Sequence, residues 1–261
     1  MNAQHVSRPV DVPGGPTVVE MVGDGPAMLY LHGLSASPVI AADEAPPGRR
    51  LALPWQRGHG TFPWPSEESA YTLDGYVADA VTVLDALGWE KVQVGGTSMG
   101  AAVALRLALE HPDRVSQLFL AGPALADRPN PDAAILVEMA GFLVGPDMGA
   151  CIDRIIDWQR TRGVPSEMSE VARRLTTHRP EPLAAALRAV PRWVVFDGDA
   201  DLRRLPPTHV VGWPDDPLHP LHLARRVAAI TGGTLGMAPG LIAVVTDPAS
   251  VARAWVADGL A

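Results

Sequence analysis

Ser98 stands in Gly96-Thr97-Ser98-Met99-Gly100, a G-x-S-x-G pentapeptide that joins the strand-like run Val92-Gln93-Val94 to the helical run beginning Ala101-Ala102. This context suits a nucleophilic serine, because a sharp strand-to-helix turn lifts the hydroxyl clear of the backbone. So tight a turn needs small residues two positions before and two after the serine, and Gly96 and Gly100 supply them. The Met99 N–H, at the first turn of the helix, is left free to stabilise the negative oxygen of a tetrahedral intermediate. The chemistry indicated is attack of a hydroxyl on a carbonyl carbon. A dinucleotide-binding turn is disfavoured, since G-x-G-x-x-G is absent here and the motif comes late in the chain.

The elements that must hold this turn alternate. Short aliphatic or β-branched runs predict strands at Thr17 to Val22, Ala27 to His32, Arg50 to Pro54, Lys91 to Gly95, Gln117 to Ala121, Thr208 to Trp213 and Thr234 to Met237. Between them, Leu73 to Leu87 puts Tyr76, Val77, Ala80, Val81, Leu84 and Leu87 on one helical stripe, with Thr72 or Asp74 as its cap. Met99 to Glu110 reads as a helix ended by His111-Pro112, and the last helix starts at Asp247-Pro248. Alternation of this kind builds an α/β fold, a mostly parallel central sheet flanked by helices. One stretch, Asp132 to Val190, carries helical patterns without a strand and reads as a cap inserted over the strand ends, roughly residues 126–190 of one domain spanning 1–261. The carboxyl ends of the strands are where such folds bind ligands. The Met and Leu residues of the insertion read first as ordinary core and second as pocket lining.

Bulk properties narrow the class. The opening residues lack a basic stretch followed by an apolar one, and no run approaches eighteen apolar residues, so a cytoplasmic protein that neither enters nor crosses a membrane is expected. The net charge of -8, with arginines scattered rather than striped, speaks against nucleic acid. A single cysteine, Cys151, cannot form an internal disulfide and reads as a small buried side chain. No metal or organic cofactor is required.

Five segments in order resemble the α/β-hydrolase family: the strand entering His32-Gly33-Leu34, Arg57-Gly58-His59-Gly60, the serine turn, Glu110-His111-Pro112-Asp113-Arg114-Val115, and a late Asp-Pro loop. The resemblance implies that the Leu34 N–H is the second oxyanion donor beside Met99, with His32 and His59 structural. It also implies an acid after a late strand, for which Asp216 in Trp213-Pro214-Asp215-Asp216-Pro217 fits better than Asp215, although Asp216 could simply cap the next helix. Asp127 is an outside candidate for the acid. The family's histidine belongs after the last strand, where this chain reads Ala238-Pro239-Gly240-Leu241; leucine can neither accept a proton nor carry charge. Only His219 and His222 follow Asp216, and His219, three residues on in the same loop, is the candidate base, with a loop-packing role as its alternative.

The expected function is a serine hydrolase acting on a small-molecule ester, lactone or thioester through Ser98, Asp216 and His219. Leu241 keeps two alternatives in view: a non-hydrolytic enzyme of the same fold, such as a lyase, isomerase or cyclase, and a small-ligand binding protein without turnover.

Overall fold

The structure, a computed structural model, describes residues 5–143, 147–161, 163 and 165–257. Eight strands form one sheet in the order β1-β2-β4-β3-β5-β6-β7-β8. They are β1 (Val6–Val12), β2 (Gly15–Val22), β3 (Ala27–Leu31), β4 (Arg50–Pro54), β5 (Val92–Thr97), β6 (Val115–Ala121), β7 (Thr208–Gly212) and β8 (Thr234–Met237). β2 pairs antiparallel with β1 and β4, and every other pairing is parallel. The seven expected strands are present within two residues at each end. The eighth, β1, escapes a reading by pattern because Pro9 interrupts it and most of its residues are exposed; both are tolerated because β1 is an edge strand.

Alternation along the strands sorts side chains to two faces. Leu29 and Leu31 of β3 and Leu118 and Leu120 of β6 point into one core, while Met28, Tyr30, Phe119 and Ala121 point into the other. The first core is closed by α2 (Leu73–Leu87), α3 (Met99–Glu110) and α9 (Leu221–Thr231), which contribute Val77, Val103 and Val227. The second is closed by α1 (Pro38–Glu44) and α11 (Ala249–Ala257), through Ala41, Val251 and Trp255. Thr72 caps α2 by accepting from the Gly75 N–H at 3.1 Å.

Between β6 and β7 lies a run of helices: α4 (Ala134–Ala140), α5 (Met148–Thr161), α6 (Met168–Arg174) and α7 (Pro180–Ala189), followed by the short α8 (Asp199–Leu202). Apart from α8 they build a third small core from Leu143, Cys151, Ile155, Leu175 and Leu183 among others, with Cys151 fully buried. The six-residue α10 (Leu241–Thr246) follows β8 directly.

Candidate active site

The serine turn is formed by close backbone approach. Ser98 has φ 56° and ψ −113°, a conformation that L residues avoid and that the surrounding packing must hold. A Cβ on Gly100 would lie 2.0 Å from the Leu31 carbonyl oxygen, and one on Gly96 would lie 2.5 Å from the Gly100 carbonyl carbon. Neither position accepts a side chain. The Ser98 N–H donates to the Ala121 carbonyl at 2.9 Å, which ties the turn to the end of β6. Gly33 packs so closely that a Cβ there would lie 3.5 Å from the Ser98 Cβ, bringing the Gly33-Leu34 loop against the serine.

The loops following β3, β5, β6, β7 and β8 converge at the carboxyl edge of the sheet. They meet helices α4 to α6 around a cavity of about 600 Å³. Leu34, Ser98, Met99, Asp216, His219 and Leu241 all line it, and Leu136, Met139 and Trp158 close it from the helical side. Leu136 and Met139 also pack on the third core, so these residues serve both as core and as lining.

Asp216 is buried, whereas Asp215 is exposed with φ 61°. Oδ2 of Asp216 lies 2.6 Å from Nδ1 of His219 and accepts from the Trp213 indole N–H at 2.8 Å. Its Oδ1 accepts from the Leu218 N–H at 3.0 Å and the His219 N–H at 3.3 Å. Burial alone would raise this carboxyl's pKa; bonding to His219, its proximity as a cation, and the Trp213 and Leu218 donors outweigh burial and hold it below the usual value. Asp216 does not cap α9, whose N-cap is Pro220 with no side-chain bond. An ionised Asp216 fixes Nδ1 of His219 as the protonated nitrogen and leaves Nε2 with its lone pair. That Nε2 is buried and has no hydrogen-bond partner among the described residues, Ser98 Oγ included.

The other histidines are occupied or displaced. His32 and His59 are fully buried, and each uses both ring nitrogens on the backbone: His32 with the Gly33 carbonyl and Gln56 N–H, His59 with the Arg57 carbonyl and Ser35 N–H. His178, from the helical insertion, accepts from the Gly60 N–H at 2.9 Å and packs edge-on to His59. Desolvation pushes all three below the ordinary histidine value, His32 to about 3 and His178 to about 4. Their effect is positional: His59 holds Ser35 and with it the loop carrying Leu34. His222 is exposed, and Asp127 is paired with Arg226 at 2.8 Å. Among the described residues, no cluster of three or more His, Cys, Asp or Glu suits a metal ion, and no helix is long and apolar enough to cross a membrane.

Two cavity residues were invisible to pattern reading. Glu44, at the end of α1, and Gln159, in α5, both line the cavity. Each has one buried oxygen without a hydrogen-bond partner among the described residues.

Residues 26–149 match the family described as alpha/beta hydrolase fold. Over 217 residues the chain is 31% identical to "Putative carbamate hydrolase RutD" of Caulobacter segnis, covering 77% of this chain and 78% of that one. It is 33% identical over 129 residues to the 2-hydroxymuconate semialdehyde hydrolase of Pseudomonas sp. strain CF600. That match takes in 47% of this chain and only 45% of the relative's length. Among solved structures, the bottromycin epimerase BotH in complex with bottromycin A2 superposes with a TM-score of 0.70 at 25% identity, covering 98% of this chain and 99% of the other.

Proposed function

Because this chain belongs to the α/β-hydrolase fold family, we propose that it is a serine hydrolase of a small carboxylic ester, lactone or thioester, with Ser98 as nucleophile and His219, held by Asp216, as base. The observation that carries this reading is the His219 ring: Nδ1 sits on Asp216 at 2.6 Å, and Nε2 is buried and unpartnered on the cavity that Ser98 also lines. In this mechanism Ser98 Oγ attacks the carbonyl carbon as Nε2 takes its proton, and the Met99 and Leu34 N–H groups bind the oxyanion. Collapse breaks the bond to the leaving oxygen or sulfur, which takes the proton back from Nε2. Water then repeats the sequence on the acyl-serine and releases the acid. Leu241 lines the same cavity, and in this reading it takes the place of the family's histidine, so the base comes from the loop that carries the acid. Helices α4 to α6 act as the cap that shields the acyl-serine from bulk water.

A fluorophosphonate probe is expected to label Ser98 in the wild type and not in Ser98→Ala. Hydrolysis of p-nitrophenyl esters is expected to fall by about 10⁴ in Ser98→Ala and in His219→Ala. Full activity in His219→Ala would remove the proposed base.

A second reading, turnover without hydrolysis, draws on Leu241 and on the likeness to BotH, an epimerase. It requires that Ser98→Ala convert its substrate as fast as the wild type, and that the probe leave Ser98 unlabelled.

A further inference from the structure

The serine relay leaves two polar atoms of the cavity unused. Glu44 is 6% exposed and lines the cavity. Its Oε2 has no hydrogen-bond partner among the described residues, and neither has Oε1 of Gln159, contributed by the insertion on the cavity's helical side. Oε1 of Gln159 is an acceptor, and Oε2 of Glu44 is one in the ionised carboxylate, in a cavity whose walls are otherwise largely aliphatic and aromatic. An unpaired buried acceptor destabilises a fold, so two on one cavity are best accounted for by a ligand that supplies the donors.

Electrostatics agrees. Desolvation raises the Glu44 pKa to about 7, partly offset by the Thr97 hydroxyl next to Ser98 and by Arg174, which also lines the cavity. A carboxyl so poised gains a full charge when a donor or cation arrives, and the bond it then makes is of the stronger, charge-assisted kind.

We propose that Glu44, with Gln159 on the helical side of the same cavity, offers acceptors to N–H or O–H groups carried by the substrate away from its scissile carbonyl. The substrate class is thus an ester, lactone or thioester bearing a hydroxyl or amino function on its acyl part. The assignment of acyl part rests on the serine-hydrolase reading; the acceptor subsite itself does not.

The test compares p-nitrophenyl hexanoate with the 6-hydroxyhexanoate and 6-aminohexanoate, and the corresponding eight-carbon esters, in wild type, Glu44→Gln and Glu44→Leu. Glu44→Gln keeps the side chain's volume and guards against a folding defect. The ratio of kcat/KM for the hydroxy or amino ester to that for the plain ester is expected to fall about tenfold in Glu44→Leu. For the amino ester it should fall in Glu44→Gln as well, which separates recognition of charge from recognition of a neutral donor. Ratios unchanged within twofold in both variants would overturn the subsite. Calorimetric titration of the methyl esters of the same acids into Ser98→Ala, with and without Glu44→Gln, reads binding without hydrolysis. A Glu44-dependent preference there supports the subsite even if the wild type hydrolyses none of the esters, a result that would count against the serine-hydrolase reading alone. Equal binding of the plain, hydroxy and amino methyl esters at both chain lengths overturns the subsite.

Discussion

Asp216 accepts hydrogen bonds from the Trp213 indole, the Leu218 and His219 amides and the His219 ring, so one buried carboxylate both shapes its loop and selects the tautomer of the imidazole. The two effects separate in Asp216→Asn. The asparagine oxygen can still accept from the Leu218 and His219 amides, but the amide nitrogen in place of Oδ2 presents N–H to the imidazole, whose proton then sits on Nε2, and leaves the Trp213 indole without its acceptor. On the serine-hydrolase reading, ester turnover is expected to drop by about 10⁴ while unfolding loses only about 1–3 kcal/mol from the stranded indole, checked by steady-state kinetics and calorimetry on the same sample. The serine turn and the contact between Asp216 and His219 were legible in the sequence, the first from its motif and the second from the three-residue spacing within one loop. Glu44 was not: nothing in Pro38-Val39-Ile40-Ala41-Ala42-Asp43-Glu44 marks a helix or singles out one acid of the pair for burial. Its burial comes from partners distant in sequence, such as Trp255, whose indole donates to the Glu44 carbonyl at 2.9 Å. His178 escaped notice for the same reason, since its contact with Gly60 spans 118 residues.

At the level of elements, the Arg57-Gly58-His59-Gly60 turn shows why the family resemblance extends beyond the serine. Arg57 forks onto Asp79 of α2 with contacts of 2.9 and 2.8 Å, and the Gly14 N–H joins the same carboxylate at 2.9 Å. The pair is nearly dry, with side chains 9% and 12% exposed. Removing one partner strands the other charge, so Asp79→Ala is expected to cost about 3–5 kcal/mol in urea unfolding at pH 7. A loss below about 1 kcal/mol would show the pair to be incidental. Nothing in the sequence singles out Asp79, because spacing tells which helix face is apolar and not which charge will be buried beneath a loop. The helices themselves were legible: Leu73–Leu87 and Met99–Glu110 agree at both ends with the stripe, the cap and the terminating His-Pro. The strand β1 was not, since exposure and Pro9 erase the alternation that identifies a strand.

Across the whole molecule, the buried histidines couple stability to acidity. In the unfolded chain each takes a proton near pH 6.5; in the folded chain His32 refuses it down to about 3 and His178 down to about 4, with His59 lowered as well. The unfolded state therefore binds more protons than the folded one below about pH 6.5, and stability falls as pH falls through that window. Glu44 acts in the opposite sense between its unfolded value and about 7, since there the folded state holds a proton that the unfolded chain releases. Urea midpoints measured from pH 7 down to 4 are expected to decline steadily, and the decline should steepen in Glu44→Gln, which lacks the opposing proton; a flat profile in both would contradict the burial of three neutral imidazoles. The sheet offers a last consequence. One of its outermost strands, β1, carries a proline with no N–H to give, and the other, β8, is only four residues long. Neither border is a good template for adding a further strand, so the molecule is guarded against edge-to-edge aggregation, and Pro9→Val should make it more prone to assemble into fibrils when concentrated.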